Sequence, residues 1–575
     1  MGWREGNTGT GDTRGCPRSG GVRDQRMGGH VPRGNRDTPE RCLPMNLGSE
    51  AEVAGKADRR NPVAGTDGES DDNIVPKKSA NKGRQCPAEW MEGRASAEGN
   101  PPHETTDRMQ DRKAVLVGLG RVRQRAEEDK QSEFANLFHF LKVPLLREAY
   151  YALKRNASPG LDGVNWRQYG RGLEARLPAL QDELHRGSYR ATPAKRTYLI
   201  KPDGRKRPLG MQAIEDKVVQ MACVMVLNEV YEPSFSGFSY GSRPGRKPHD
   251  ALDALHEGIC RKKINWILDC DIEGFFDHLP HEPLMEIIGR RVKDRRLLRL
   301  IRKWLRVGWV EDGQRHPARV GTPQGAVISP LLANIYLDEV MDKWMSTWRR
   351  EHATGDVIAI RYVDDAVYGF EHESEARSFL KQLGERLAEH GLKLHPGKTR
   401  LLEFGRFAAS NRKKRGQGKP ESFDFLGFTH LCGKSRKGKF IVRRKTVAKR
   451  MSRKLQELKK ELRRRMHEPV WKTGRWLASV IGGATRYYGI PGNTKAIRAF
   501  YTQASRLWLF AIRRRSQKAR QRWTWERFYR LQRIWLPRPR ICHPYPNQRF
   551  DAKHPRQEPY AVVPHVRICA GRACA

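Results

Sequence analysis

Apolar positions at helical spacing first appear at Phe134, Leu137, Phe138, Leu141, Leu145 and Leu146 and lead into Tyr150, Tyr151 and Leu153, so order is predicted from about 134. Residues 1 to about 115 are rich in Gly, Arg, Asp, Asn, Pro and Ser and follow neither helical nor strand periodicity. They cannot bury enough apolar surface to offset the entropy of ordering, and a disordered leader is expected there. The run NASPGLDG (156–163) ends the first helical stretch with Pro and two Gly. TYLIKPDGRKRPLG then reads as two short strands about an Asp203-Gly204 turn, with basic residues on both arms.

Residues 214 to 231 form an apolar helical stretch, and 236 to 249 a loop of Gly, Arg and Pro. A buried strand is predicted over Trp266 to Ile272, followed by Gly274-Phe275-Phe276. In VIAIRYVDDAVYGF (357–370) two β-rich runs flank Asp364-Asp365, a two-residue hairpin turn. NRKKRGQGK (411–419) has the composition of an exposed basic loop; a helical stretch is expected from 440 to about 540, then a Pro-rich, weakly patterned tail. No internal repeat is present.

The charge balance changes the picture. Against 65 Asp and Glu stand 110 Lys and Arg in 575 residues, a formal +45, which points to a polyanionic partner. Residues 440 to 540 hold 29 Lys and Arg against 4 Asp and Glu, so 25 of the 45 net charges fall in that one segment. Among them stand Trp471, Trp476, Tyr487, Tyr488, Trp508, Phe510, Trp523, Trp525 and Trp535. Some belong to a core, while others can stack on unpaired bases between phosphate-neutralising cations. No window offers the ~18 uninterrupted apolar residues of a membrane helix. The N-terminus lacks an apolar signal core, and Glu5, Asp12 and Asp24 do not suit a transit peptide. The ten cysteines include no C-x-x-C pair, so a reduced cytoplasmic setting without structural zinc is inferred. His543, His554 and His565 have no cysteine knuckles to complete a metal-bound nuclease.

The chemistry-bearing candidates are carboxylates. Asp271 closes an apolar strand, and Asp364 with Asp365 tips a hairpin 93 residues later. Unneutralised acids in such places are costly to bring together unless a divalent cation joins them. Two Mg²⁺ ions about 3.5–4 Å apart would activate an attacking 3′-oxygen and stabilise a departing pyrophosphate. Asp269 shares a strand face with Asp271 and competes for the role. A lone Tyr-x-Asp-Asp is also ordinary turn chemistry. The order of segments strengthens the catalytic reading: basic hairpin, strand-terminal Asp with aromatics, Gly-Thr-Pro-Gln-Gly loop, double-Asp hairpin.

In LIKPDGRKRPLG (199–210), DIEGFFDHLPH (271–281), GTPQGAVISPLLANIYLD (321–338), RYVDDAVYGF (361–370), HGLKLHPGKTR (390–400) and FDFLGF (423–428), the chain resembles group II intron-encoded reverse transcriptases with maturase activity. The resemblance runs from about 134 to 540 and implies an α+β right-hand polymerase: an N-terminal extension and fingers over 116–265, and a palm with an antiparallel sheet over 266–430, with 214–250 shared between fingers and palm. An α-helical thumb/maturase domain over 431–540 and a short tail over 541–575 follow. It assigns the catalytic metal ligands to Asp271, Asp364 and Asp365, with the Ile272 carbonyl a further ligand, and favours Asp271 over Asp269. Phe276 matches the gate against a ribonucleotide 2′-hydroxyl; it also reads as a core aromatic. Lys201 and Arg207 match the triphosphate clamp, where a mobile ammonium and a planar guanidinium suit phosphate oxygens; a solvated hairpin face is the plainer reading. Gln324 resembles the residue near the nascent base pair, and Lys398 the lysine of the block after the hairpin.

The implied partners are the parent intron RNA, an RNA template, a DNA primer or target and deoxynucleoside triphosphates, with two Mg²⁺ per site. RWLASVIGGATRYYGIPGN (475–493) resembles the maturase region. With about 35 residues after Arg540, the chain resembles the branch lacking the endonuclease. Two other readings stand beside this one: a reverse transcriptase of another bacterial retroelement, not expected to carry the long basic segment, and a splicing-only RNA-binding protein.

Overall fold

The computed structural model describes residues 106–200 and 206–553. Eleven strands form three sheets among the described residues. The first hairpin is β1 (Ala194–Ile200) and β2 (Lys206–Met211), antiparallel with Ile200 opposite Lys206. The turn with Asp203 and Gly204 lies outside the described residues. Strand β3 (Trp266–Cys270) follows, then β4 (Trp309–Glu311) and β5 (Gln314–His316), of which β4 adds in parallel to β1. Next come β6 (Val357–Tyr362), β7 (Asp365–Phe370) and β8 (Arg400–Glu403), which join β3 in an antiparallel central sheet of order β6-β7-β3-β8. A third sheet, β9 (Phe423–Phe425), β10 (Phe428–Lys434) and β11 (Phe440–Thr446), precedes the C-terminal helices. The result is mixed α and β with largely antiparallel sheets.

The central strands are largely apolar because both faces of their sheet are covered. Leu268, Ala359, Ala366 and Tyr368 point into one core with the helices Val143–Ala152, Ile214–Tyr231, Ser329–Leu337 and Glu373–Glu389. Their neighbours Ile267, Ile358, Ile360 and Val367 point the other way, into a core with the helix Pro248–Arg261 and the third sheet. This alternation is the period of two written into the strands. A third core holds the helices Ala448–Arg464, Val470–Tyr488, Thr494–Arg513 and Trp525–Trp535 around Trp508.

Several expectations need correction. Of the leader predicted to be disordered through 115, residues 106–115 belong to a helix, Thr106–Glu128; the rest lies outside the described residues. That helix packs on the first core through a sparse stripe of Val115, Leu119, Val122 and Ala126, while Leu116 and Val117 are exposed, so the pattern is too weak to register as periodicity. The apolar run from Phe134 is interrupted: a 3₁₀ turn over Phe138–Phe140 precedes the helix Val143–Ala152, which Pro144 opens. Residues 411–414 are not loop, because Ala408–Lys414 lacks Gly and Pro and forms a helix. The stretch from 440 begins with β11, not helix. The tail is not structureless up to 553: the helix Pro546–Lys553 packs on Pro248–Arg261, burying Phe550. No helix among the described residues is long and apolar enough to cross a membrane.

The tail is held by charge as well as by Phe550. Asp253 pairs with Arg444 of β11 at 2.8 Å and with Arg549 at 3.1 Å, while Arg261 reaches Asp551 at 2.9 Å. Asp253 and Arg444 are both buried, so removing Arg444 breaks a buried pair and leaves Asp253 only Arg549. Arg444→Ala should therefore destabilise the fold by about 3–5 kcal/mol in denaturant unfolding. Asp551→Ala, which removes only the exposed end of its pair with Arg261, should cost less than about 1 kcal/mol.

Candidate active site

The ladder between β3 and β7 brings the acids together. Cys270 stands opposite Ala366, so Asp271 and Asp365 are the next residues beyond the last registered pair, on adjacent strands. Opposed residues of an antiparallel ladder have Cα atoms about 4.5–5.5 Å apart. In β6 and β7, Tyr362 pairs with Asp365, which makes Val363-Asp364 the two-residue turn. The turn expected at Asp364-Asp365 is thus displaced by one residue, and Asp365 is the first residue of β7. The reason is register: Val367 must point to the second core and Tyr368 to the first, and that fixes where the ladder closes.

The electrostatics reflect this crowding. The carboxyl of Asp365 is pushed up to about 7, first by loss of water, then by the negative charges of Asp364, Asp271 and Asp269, with Arg450 opposing. Its surface still opens to solvent, as a ligand-binding carboxylate requires. Asp269 is pushed to about 6 by burial above all; Asp271 and Asp424 add to this and Arg400, 3.4 Å away, works against it. Asp269 faces Arg400 across β8 and already has a cation. Asp271 meets a different one: Lys398 Nζ lies 2.5 Å from its Oδ2. The chain delivers Lys398 there by running 393–395 beside 271–273, with Glu273 N donating to Lys393 O, Ile272 bridged to Leu394, and His395 N donating to Asp271 O.

A second group joins the first hairpin to the 321–325 loop. Arg207 Nε donates to Gln324 Oε1 at 3.0 Å across 117 residues of sequence, and Gly210 N donates to the Gln324 carbonyl at 2.7 Å. The same loop grips the Phe276 segment, since Thr322 N donates to Phe276 O at 2.7 Å. Gly321, at φ +80°, sits where a Cβ would fall 2.6 Å from Asp277 O, so only glycine fits. Phe276 is half-buried, edge-on to Phe275 at 5.4 Å. Lys201 lies outside the described residues.

With this geometry in place, comparison with known proteins is direct. Residues 199–430 match the family model described as reverse transcriptase (RNA-dependent DNA polymerase). This segment is similar to that family over 232 of the 575 residues. The chain is 38% identical over 185 residues to protein YkfC of Escherichia coli (strain K12), covering 32% of this chain and 49% of that protein. It is 34% identical over 235 residues to the group II intron-encoded protein LtrA of Lactococcus lactis subsp. cremoris, covering 40% and 39%. Nuclear intron maturase 4, mitochondrial, of Arabidopsis thaliana is 30% identical over 213 residues, covering 36% and 25%. The chain spans less than half the length of these relatives.

Sequence reading missed what holds the Val363-Asp364 turn. Arg361, 1% exposed, pairs with Asp342 at 2.5 Å and donates to Asn334 Oδ1 and to the Val363 carbonyl, both at 3.0 Å. Asn334 in turn donates to Gly241 O at 2.8 Å. A Cβ on Gly241 would meet Val363 N at 2.4 Å, so the loop presses directly on the turn. Val363 sits at φ +60°, a strained setting for a β-branched residue. The signal was present: an arginine inside the apolar run VIAIRY had to have a buried partner.

Among the described residues no three His, Cys, Asp or Glu side chains are drawn tightly enough to hold an ion as they stand; Asp271 is turned to Lys398. The donor set nonetheless fits a hard divalent cation: it is all oxygen and sits at one end of adjacent strands, where burial and then the neighbouring carboxylates raise Asp365.

This upward shift has a testable sign. A carboxyl that holds its proton more tightly folded than unfolded loses folding free energy as pH rises from about 4 through about 7. Asp365→Asn should therefore melt at or above the wild-type temperature at pH 8, with the difference shrinking toward pH 4. A variant melting well below wild type at pH 8 would show that Asp365 serves the fold.

Proposed function

We propose that the chain is an RNA-directed DNA polymerase that binds its parent group II intron RNA, assists its splicing, and copies it into cDNA. The observation that carries this reading is the β3–β7 register that sets Asp271 beside Asp365 at the tip of a buried sheet. A fold gains nothing from gathering like charges there, and a nucleotidyl-transfer site does.

In this reading the right-hand arrangement holds. The first hairpin with its flanking helices forms fingers, the central sheet the palm, and the helices after β11 the thumb and maturase domain. The boundaries are 116–265, 266–430 and 431–540. Asp271, Asp364, Asp365 and the Ile272 carbonyl would hold two Mg²⁺, which activate the primer 3′-oxygen and neutralise charge on the leaving pyrophosphate. Arg207, braced by Gln324, binds the triphosphate of the incoming deoxynucleotide together with Lys201, and Lys398 supplies a mobile ammonium next to Asp271. Gln324, fixed through its own carbonyl to Gly210, borders the nascent base pair. Phe276, anchored by Thr322 and Phe275, closes the space that a 2′-hydroxyl would need.

RNA contact falls to the basic C-terminal helices. Trp471, Phe510, Trp525 and Tyr529 are exposed there among arginines, whereas Trp508 and Tyr488 are buried and serve packing. The first four can stack on unpaired bases while the cations neutralise phosphates. The protein would act as a cytoplasmic ribonucleoprotein, on an RNA template with a DNA primer or target.

The two roles separate by mutation, since in assisted splicing the RNA performs the transesterification. The double change Asp364→Ala with Asp365→Ala should lower Mg²⁺-dependent primer extension on RNA by roughly 1,000-fold or more. Splicing of the cognate intron should stay within a few-fold of wild type. Equal loss of both activities in a folded double variant would contradict the assignment.

A further inference from the structure

The last turns of the helix Pro248–Arg261 carry a chain of polar contacts that the polymerase chemistry leaves without a task. Residues four apart share a helix face, and Cys260 Sγ lies 4.0 Å from His256 Nε2. The other ring nitrogen, Nδ1, lies 3.0 Å from Glu257 Oε1, while Glu257 Oε2 accepts from Arg261 Nε at 2.8 Å. A buried carboxylate against Nδ1 holds a proton there, which leaves Nε2 to accept one from the thiol. Burial by itself would lower the His256 imidazole, but its bonds to Cys260 and Glu257 outweigh that and push it up to about 9, with Arg444 opposing. Thiol, base and carboxylate stand in the order of a nucleophile, its proton acceptor and the group that orients the acceptor.

A second thiol faces this chain from β10. The helix crosses that strand where Asp253 meets Arg444, the residue paired with His430, and Cys432 lies two residues further on the same face of β10 as His430. Cys260 and Cys432 both pack on the second core, and they touch consecutive residues: Arg406 donates to Cys260 O at 3.1 Å, and Cys432 Sγ donates to Gly405 O at 3.6 Å. The Cys432 thiol is pushed up to about 11 by burial first; its bond to Gly405 opposes this, and the charges of Cys260 and Glu403 add to it. Both thiols are partly exposed, whereas Cys223 and Cys270 are buried. One member of the pair thus has a base and the other stays protonated, the division of labour between an attacking and a resolving cysteine. We propose that Cys260 is a peroxide-reactive thiol with His256 as its base, and that Cys432 closes a reversible disulfide with it, tying the helix to the third sheet. The Cys260 proton passes to His256, and the thiolate sulfur attacks a peroxide oxygen. An S–O bond forms, the O–O bond breaks, and the departing hydroxide takes the proton from His256 to leave as water. The Cys432 sulfur then displaces the new hydroxyl, an S–S bond forms, and the second water carries away the Cys432 proton. The two sulfurs lose two electrons and two protons, and hydrogen peroxide becomes two waters. No part of this step uses the acids of the polymerase site.

The test adds equimolar hydrogen peroxide to the reduced full chain at neutral pH, stops the reaction by alkylation, and maps every cysteine by peptide mass spectrometry, with the exposed Cys542 as internal reference. Cys260 should oxidise about tenfold faster than Cys542. A peptide pair joined through Cys260 and Cys432 should dominate the products and disappear with dithiothreitol. Cys432→Ser should stop at a sulfenic acid on Cys260, captured by dimedone. His256→Gln should bring the Cys260 rate to within about two-fold of Cys542 at an unchanged melting temperature. Glu257→Gln, which keeps the imidazole and removes the charge that orients it, should slow Cys260 several-fold and serves if the His256 variant fails to fold. Wild-type Cys260 that oxidises no faster than Cys542 would overturn the proposal, as would a disulfide to any cysteine other than Cys432. A folded His256→Gln with the full wild-type rate would do the same.

Discussion

The structure depends on a forced proximity of like charges. A sheet buried on both faces has one register, because a slip of one residue would turn every side chain toward the wrong core. That register ends with Cys270 opposite Ala366, and the next residues are carboxylates. The free energy that holds them there comes from remote burial, from Ile267, Leu268, Val367 and Tyr368, and from the Arg361–Asp342 pair under the turn. The acids themselves oppose the arrangement, and this is the signature of a site shaped for a ligand and not for stability.

Much of this was legible in the chain. The two β-runs, the apolar helix over 214–231 and the strand before Asp271 follow from period and composition, and the structure places them within a residue or two. The pairing of Arg207 with Gln324 was not legible from pattern, because hydrogen bonds across 117 residues leave no local trace. The displaced turn shows the limit: Asp-Asp is better turn chemistry than Val-Asp, and tertiary packing overrode it at the cost of a valine at positive φ. Arg361 could have been found by asking what neutralises an arginine in an apolar strand, but its partner Asp342, on a π-helical turn, could not.

The C-terminal half illustrates how composition misleads. Charge pointed to a polyanionic partner but could not say which of the aromatics form the core: of those singled out, Trp508 and Tyr488 lie inside and Trp471, Phe510 and Trp525 outside. A Pro-rich tail with little periodicity still docks through one phenylalanine and two ion pairs. Short segments of this kind are fixed by what they land on, and that information lies elsewhere in the chain.

The central claim is that Asp271, Asp364 and Asp365 act as one divalent-cation site. Titration of Mn²⁺ into the protein bound to primer–template and an incoming nucleotide, followed by electron paramagnetic resonance, measures this directly. The account predicts two tightly bound ions in the wild type and loss of at least one in Asp271→Asn, with the nucleic acid still bound. Unchanged ion binding in that variant would contradict it.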